Sequence, residues 1–170
     1  MVKKAVFLDR DGILNKLVNN RPPWFVEEVD FFNEIDEIIR LIKERNHEPI
    51  IVTNQPDAAR GDADLNSLKE VQKYISNHLK IKYKYTCYHP YDGMCLCRKP
   101  LPGMLFEAAR ENDINLKKSF MIGDREKDII AGATAGCTTI YLAKTKDADA
   151  DFFVKDHQSL YKLLSKLLII

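Results

Sequence analysis

The chain has 170 residues, 45% of them apolar and 30% charged, with a formal net charge of +1. That length suits one folded unit, residues 1–170, with a substantial core, and the near-neutral charge without a long basic run argues against nucleic acid as the main partner. Asp9 ends the apolar run after Lys3 and Lys4 too early for a secretory signal, and the apolar tail 163–170, broken by Lys166, is too short to cross a membrane. The expectation is a cytoplasmic monomer.

Val2 to Leu8 reads as a first strand, apolar enough to lie centrally in a parallel sheet. It delivers Asp9 at its carboxyl tip, with Asp11 and Gly12 just beyond. Residues 13–30 have no steady period and contain Arg21-Pro22-Pro23-Trp24, so they read as a flap over that end of the sheet. Trp24 there either covers a substrate or packs against the sheet. Asn33 is placed to cap a helix carrying Ile35, Ile38, Ile39 and Ile42 on one stripe. Pro49 to Thr53 is a second strand, followed by a loop over 54–61.

A second helix starts near Asp64 or Ser67, where Ser67 and Glu70 have capping-box spacing, and its apolar face is Leu65, Leu68, Val71, Ile75 and Leu79. Residues 83–88 alternate as a third strand. Pro102 opens a third helix, with Leu105, Ala108 and Ala109 facing inward. Residues 119–122 form a fourth strand ending at Gly123-Asp124, and a helix rich in small residues follows. Residues 138–142 and 152–154 read as two more strands, and the last helix carries Leu160, Leu163, Leu164, Leu167 and Leu168. Strands alternating with helices predict an α/β fold, a Rossmann-like three-layer α/β/α sandwich around a mostly parallel sheet.

Such sheets bind ligands at the carboxyl ends of their strands, which is where the chemistry-bearing residues gather. Asp9 and Asp11 repel each other unless a cation lies between them or one takes a proton, and Mg²⁺ takes oxygen ligands of this kind; Asp11-Gly12 is also a plain turn signal. Thr53 and Asn54, at the second strand's tip, offer a hydroxyl and backbone amides to phosphate oxygens, or simply end a strand. Arg98-Lys99-Pro100 supplies a bidentate anion grip and a point charge, or a solvated basic pair. Asp124 can complete an ion site, with Asp128 one helical turn on orienting a ligand or pairing with Lys99; either also suits a helix cap. Four strand-tip elements with matching chemistry are harder to obtain by chance than any one of them.

Cys87-Tyr88-His89 and, after five residues, Cys95-Leu96-Cys97 give three thiols and an imidazole. That set suits tetrahedral Zn²⁺ with no open position, a structural site, and in a cytosolic chain coordination is expected over a disulfide. The alternative is buried cysteines and a turn histidine. Cys137, beside Gly136, reads as core. His47, His78 and His157 lack ligand spacing and read as helix-end or surface residues.

Taken together, DRDG at 9–12, TNQ at 53–55, RKP at 98–100 and GDREKD at 123–128 resemble the haloacid dehalogenase superfamily of phosphohydrolases. TNQPDAARG at 53–61, the CxH…CxC cluster directly before RKP, and PGML at 102–105 are similar to the small, capless histidinol-phosphate and D-glycero-D-manno-heptose-1,7-bisphosphate phosphatases. The resemblance implies no cap domain and a Mg²⁺-dependent phosphomonoester hydrolase acting on a small phosphorylated metabolite. Asp9 would be the nucleophile that forms an aspartyl-phosphate, and Asp11 the general acid and base. Mg²⁺ would be held by Asp9, Asp124 and the backbone carbonyl of Asp11. Thr53 and Lys99 would stabilise the transferring phosphoryl group, while Asn54, Gln55, Arg60, Arg98 and Arg125 would meet substrate. Asp128 would stand behind the site, and Zn²⁺ would shape the loop before Arg98. The metal loop is shorter than in the heptose-bisphosphate enzymes, and 19–23 lacks their acidic, glycine-containing pattern. Heptose 1,7-bisphosphate, losing its 7-phosphate, is the leading substrate; histidinol phosphate and a catalytically silent phosphate-binding module are the alternatives.

Overall fold

Six short runs rich in apolar residues pair side by side in the computed structural model, which describes residues 2–168. They are β1 (Lys4–Leu8), β2 (His47–Asn54), β3 (Tyr83–Cys87), β4 (Phe120–Gly123), β5 (Thr138–Leu142) and β6 (Phe152–Val154). The sheet order is β3-β2-β1-β4-β5-β6 and every neighbouring pair is parallel. Five α-helices among the described residues cover it: α1 (Ile35–Glu44), α2 (Leu65–His78), α3 (Gly103–Asn112), α4 (Glu126–Ala135) and α5 (His157–Leu167).

Successive side chains of a strand point to opposite faces, so β1 feeds two cores at once. Val6 and Leu8 join one cluster with α1, α2 and α5, while Ala5 and Phe7 join another with α3 and α4. All four are fully buried, which explains why β1 reads as a continuous apolar run and not as an alternation. The chain winds away from β1 in both directions, to β2 and β3 on one side and to β4, β5 and β6 on the other. That reversal opens a crevice at the carboxyl end of β1.

Some local expectations shift. Glu34, not Asn33, occupies the N-cap of α1, and no side chain bonds there. Asp64 caps α2 by accepting from the Ser67 backbone N–H at 2.8 Å, which places Ser67 inside the helix and removes its capping box with Glu70. Strand β2 begins at His47, which is buried, with Nδ1 2.7 Å from the Arg45 carbonyl; burial pushes its pKa down. His157 opens α5 and is also buried, stacked on Phe32 at 3.9 Å with Nε2 2.7 Å from the Ile13 carbonyl. Both histidines belong to the packing instead of the surface. Cys137 lies in the α3–α4 core, as expected. No helix among the described residues is long and apolar enough to cross a membrane, and Ile169 and Ile170 of the apolar tail lie outside them.

Candidate active site

Strand register decides which side chains meet. Leu8 lies opposite Ile51 on β2 and Ile122 on β4, so β1 and β4 end nearly level while β2 runs on to Asn54. Asp9 follows β1, Thr53 lies at the end of β2, and Asp124 follows β4. The Asp9 backbone N–H donates to the Ile122 carbonyl at 3.0 Å, which ties the first tip to the third. The turn that follows depends on Gly12, whose φ is +93° and where an added Cβ would strike the Asp124 carboxylate. Gly123 is similarly confined, because a Cβ there would strike Asp128.

Lys99 reaches into this cluster from the opposite side. Its side chain is fully buried, and Nζ lies 2.7 Å from each of Asp9 Oδ1, the Val52 carbonyl and Asp128 Oδ1. Nζ donates hydrogen bonds to Asp9 Oδ1 and the Val52 carbonyl, and its contact with Asp128 is an ion pair. Burial by itself would push the Lys99 pKa down, but Asp128 and Asp9 outweigh it and the net shift is upward. Asp128 does double duty, since its Oδ2 also accepts from the Arg125 backbone N–H at 3.1 Å and so caps α4. The ion-pair and the cap readings of Asp128 therefore hold together. Asn54 makes a reciprocal pair with Lys99, donating to its carbonyl at 2.9 Å and accepting from its N–H at 3.1 Å. This joins the tip of β2 to the Arg98-Lys99 segment.

One ammonium faces three carboxylates, and the imbalance falls on Asp124. Burial first, then repulsion by Asp9 and Asp128, pushes its pKa up to about 8. Oxygens of Asp9, Asp124 and Asp128 lie within 4.8 Å of one another, and Asp124 Oδ1 is buried without a hydrogen-bond partner. With Asp128 engaged by Lys99, the donor set of Asp9 and Asp124 fits a hard divalent cation such as Mg²⁺.

Above these groups lies an open cleft of about 250 Å³, lined by Asp9, Asp11, Thr53 and Asp124 at its base and by Arg21, Arg60, Arg125 and Lys127 around it. Trp24 fixes the flap to the 54–61 loop, donating from Nε1 to Asp57 Oδ2 at 2.7 Å. Asp57 pairs in turn with Arg60, and Arg21 stacks on Trp24 at 4.0 Å while its guanidinium is forked onto Glu28. The hydrogen bonds from Arg21 hold the Glu28 carboxyl well down, at about 2.

The cysteine loop forms a second cluster. Cys87 Sγ lies 3.4 Å from His89 Nδ1 and 3.8 Å from Cys95 Sγ, and His89 Nδ1 is 3.2 Å from Cys97 Sγ. A tetrahedral zinc with ordinary bond lengths sets S···S near about 3.8 Å and S···N near about 3.5 Å. The four donors fit that ion. Burial and the neighbouring Cys87 and Cys95 push the Cys97 thiol up to about 12.

Known proteins resemble this chain in sequence and in fold. A family model described as "HAD-hyrolase-like" matches residues 96–160. The D-glycero-alpha-D-manno-heptose-1,7-bisphosphate 7-phosphatase of Campylobacter jejuni subsp. jejuni serotype O:2 is 35% identical over 170 residues, covering 97% of this chain and 96% of the relative. The chain belongs to the haloacid dehalogenase-like phosphatases. A Helicobacter pylori relative named for the beta anomer is also 35% identical, over 78% of this chain and 79% of its own. The crystal structure of the D,D-heptose 1,7-bisphosphate phosphatase from B. bronchiseptica, complexed with magnesium and phosphate, superposes with a TM-score of 0.84 at 25% identity, covering 96% and 98% of the two chains.

In this phosphatase the substrate-facing set differs from the sequence expectation at two places. Gln55 is fully buried and does not line the cleft; its Nε2 donates to Asp11 Oδ2 at 2.6 Å and to Thr53 Oγ1 at 3.0 Å. Arg98 lies against the cysteine loop, donating to the His89 carbonyl and stacking on Tyr91 at 3.9 Å, and it is Tyr91 that borders the cleft. Arg60 and Arg125 do border it. Sequence reasoning missed Lys127, Asp57, Tyr91 and, deepest of all, Arg10. Gln72 carried a usable signal, since it falls four residues after Leu68 on the stripe that α2 buries. A buried amide on an apolar stripe asks for a polar partner.

Proposed function

We propose that this phosphatase removes the 7-phosphate of D-glycero-D-manno-heptose 1,7-bisphosphate. The observation that carries the reading is the charge of the cleft: nucleophile and metal carboxylates sit at the base, and Arg60, Arg125, Lys127 and Arg21 stand around it. A sugar that keeps a second phosphate after losing the first is matched by these cations, of which Arg125 lies 3.7 Å from Asp124 while Arg21 and Arg60 also pair with Glu28 and Asp57. Histidinol phosphate, whose leaving alcohol carries an ammonium group, is disfavoured by the same cations. The relatives named for the heptose bisphosphate point the same way.

Asp9 is the nucleophile: an oxygen of its carboxylate bonds to phosphorus as the bond from phosphorus to the sugar oxygen breaks. Asp11 gives its proton to that leaving oxygen, and the resulting carboxylate takes a proton from the water that later displaces Asp9. Lys99 holds Asp9 Oδ1 and offsets the charge of Asp9 and Asp128 before substrate arrives. The Thr53 hydroxyl already accepts from Gln55, so its own hydrogen is available to a phosphoryl oxygen. Mg²⁺ held by Asp9, Asp124 and the Asp11 carbonyl would supply positive charge opposite the phosphoryl oxygens. Zn²⁺ held by Cys87, His89, Cys95 and Cys97 would brace the loop that presents Tyr91 and leads into Lys99.

The test is phosphate release with Mg²⁺ on both anomers of heptose 1,7-bisphosphate and on histidinol phosphate, with Asp9→Asn as the blank. The reading predicts that one heptose anomer exceeds histidinol phosphate by at least about a hundredfold in kcat/KM, on the order of 2.7 kcal/mol. A preference for histidinol phosphate would overturn the substrate while leaving the phosphatase chemistry in place.

A further inference from the structure

We infer that Arg10 is a positioning residue that holds the Asp11 carboxylate for proton transfer at the leaving oxygen, an inference that rests on the roles just given to Asp9 and Asp11. Arg10 is completely buried, and a guanidinium is kept there only by partners that answer its charge and its donors. Its fork lies flat against Asp11, with Nε 3.1 Å from Oδ1 and Nη2 3.2 Å from Oδ2. The remaining nitrogen, Nη1, donates to Gln72 Oε1 at 3.0 Å, and Gln72 is buried on the inner face of α2. The fork is therefore anchored to a helix, not to the loop that carries Asp11.

Two more donors complete the arrangement. Gln55 Nε2 lies 2.6 Å from Asp11 Oδ2, and Asn15 Nδ2 lies 3.0 Å from Oδ1. Each Asp11 oxygen thus accepts from two nitrogens, and the plane of the carboxylate is fixed by the bidentate pair. Four N–H donors on two oxygens match the carboxylate that remains once Asp11 has given up its proton. The protonated acid takes back the Oδ2 site from the neutral Gln55 amide, which also has Thr53 Oγ1 to donate to, while the Arg10 fork stays in place. In the first step the Asp9–phosphorus bond forms, the bond from phosphorus to the leaving oxygen breaks, and the proton moves from Asp11 to that oxygen. Arg10 meets the negative charge that appears on Asp11 at that moment. In the second step the same carboxylate, still held in plane, removes a proton from the attacking water as the Asp9–phosphorus bond breaks. Arg10 touches neither substrate nor the reacting atoms; it acts through Asp11.

The leaving group separates this role from a merely structural one. Benzyl phosphate and p-nitrophenyl phosphate are similar in size, but benzyl alkoxide needs a proton to depart and p-nitrophenolate does not. Leaving-group release is followed in single turnovers with Mg²⁺-loaded wild type, Arg10→Lys and Gln72→Met, with Asp11→Asn as reference. Arg10→Lys keeps the charge and loses the fork, while Gln72→Met keeps the fork and loses its anchor. Arg10→Lys is expected to slow benzyl alcohol release by about 30-fold or more, within the range of general-acid effects, and to leave p-nitrophenolate release within about threefold. Gln72→Met is expected to show the same selectivity at about fivefold and serves if Arg10→Lys does not fold. Equal losses on both esters, or unchanged benzyl alcohol release, would overturn the inference. Asp11→Asn tells the two levels apart: selective loss there without loss in Arg10→Lys removes only the role of Arg10, whereas wild-type release by Asp11→Asn removes the acid assignment with it.

Discussion

The strand-tip carboxylates and the cysteine loop set the same electrostatic problem and solve it differently. In each, burial and like neighbours push an acid upward, Asp124 to about 8 and Cys97 to about 12. At the strand tips, part of the answer is built into the chain: Lys99 forms ion pairs with both Asp9 and Asp128. Among the described residues no lysine or arginine pairs with the three thiols, and a metal bound there would supply the positive charge. The tips also face an open cleft, leaving room for substrate beside any ion, while the loop offers four donors and closes its site. Like-charge crowding with an open side leaves room for chemistry, and crowding with a closed shell suits architecture.

Breaking each cluster in turn should give opposite losses. Asp9→Asn should lower kcat by at least about a thousandfold, as removal of a covalent nucleophile does, while zinc content and the thermal melting curve stay close to wild type. A variant that still turns over at the wild-type rate would remove Asp9 from its role. Cys95→Ser should do the reverse, losing zinc and several kcal/mol of stability because metal binding there is folding free energy. Metal content by atomic spectroscopy, read beside a thermal melt, checks this, and unchanged zinc would contradict the four-donor site.

A smaller effect sharpens the comparison through pH. Asp124 must lose its proton to hold Mg²⁺, so affinity should weaken as pH falls below about 8, by up to about tenfold per unit. Calorimetric titration in two buffers would also register the released proton. In the metal-free protein the sign reverses. The folded pKa lies above that of a free carboxylate, so this contribution to stability is present at low pH and is lost as pH rises through about 8. Denaturation without Mg²⁺ at pH 5 and pH 8.5 reads that difference, and a Mg²⁺ affinity flat across the same range would exclude the assignment.

Much of this arrangement was legible in the chain because strong local rules carry it. The buried run Ala5 to Leu8, the aspartates at strand tips and the clustered cysteines each state their chemistry within a few residues. What stayed hidden depends on contacts between distant segments. Arg10 has no role that the motif at 9–12 alone states, because its anchor Gln72 lies 62 residues away. Gln55 reads as a substrate ligand until the turn points it at Asp11. The burial of His47 and His157 stays hidden for a related reason, since it comes from packing against Phe120 and Phe32 in distant segments.

The division between a chemical and an architectural cluster is tested most directly by stopping a turnover in acid and locating the phosphoryl group by peptide mass spectrometry. Wild type with Mg²⁺ and heptose 1,7-bisphosphate should carry it on Asp9, and zinc-depleted protein that remains folded should still do so. A phosphoryl group on any other residue, or none in a protein that is turning over, would contradict covalent catalysis at the strand tips.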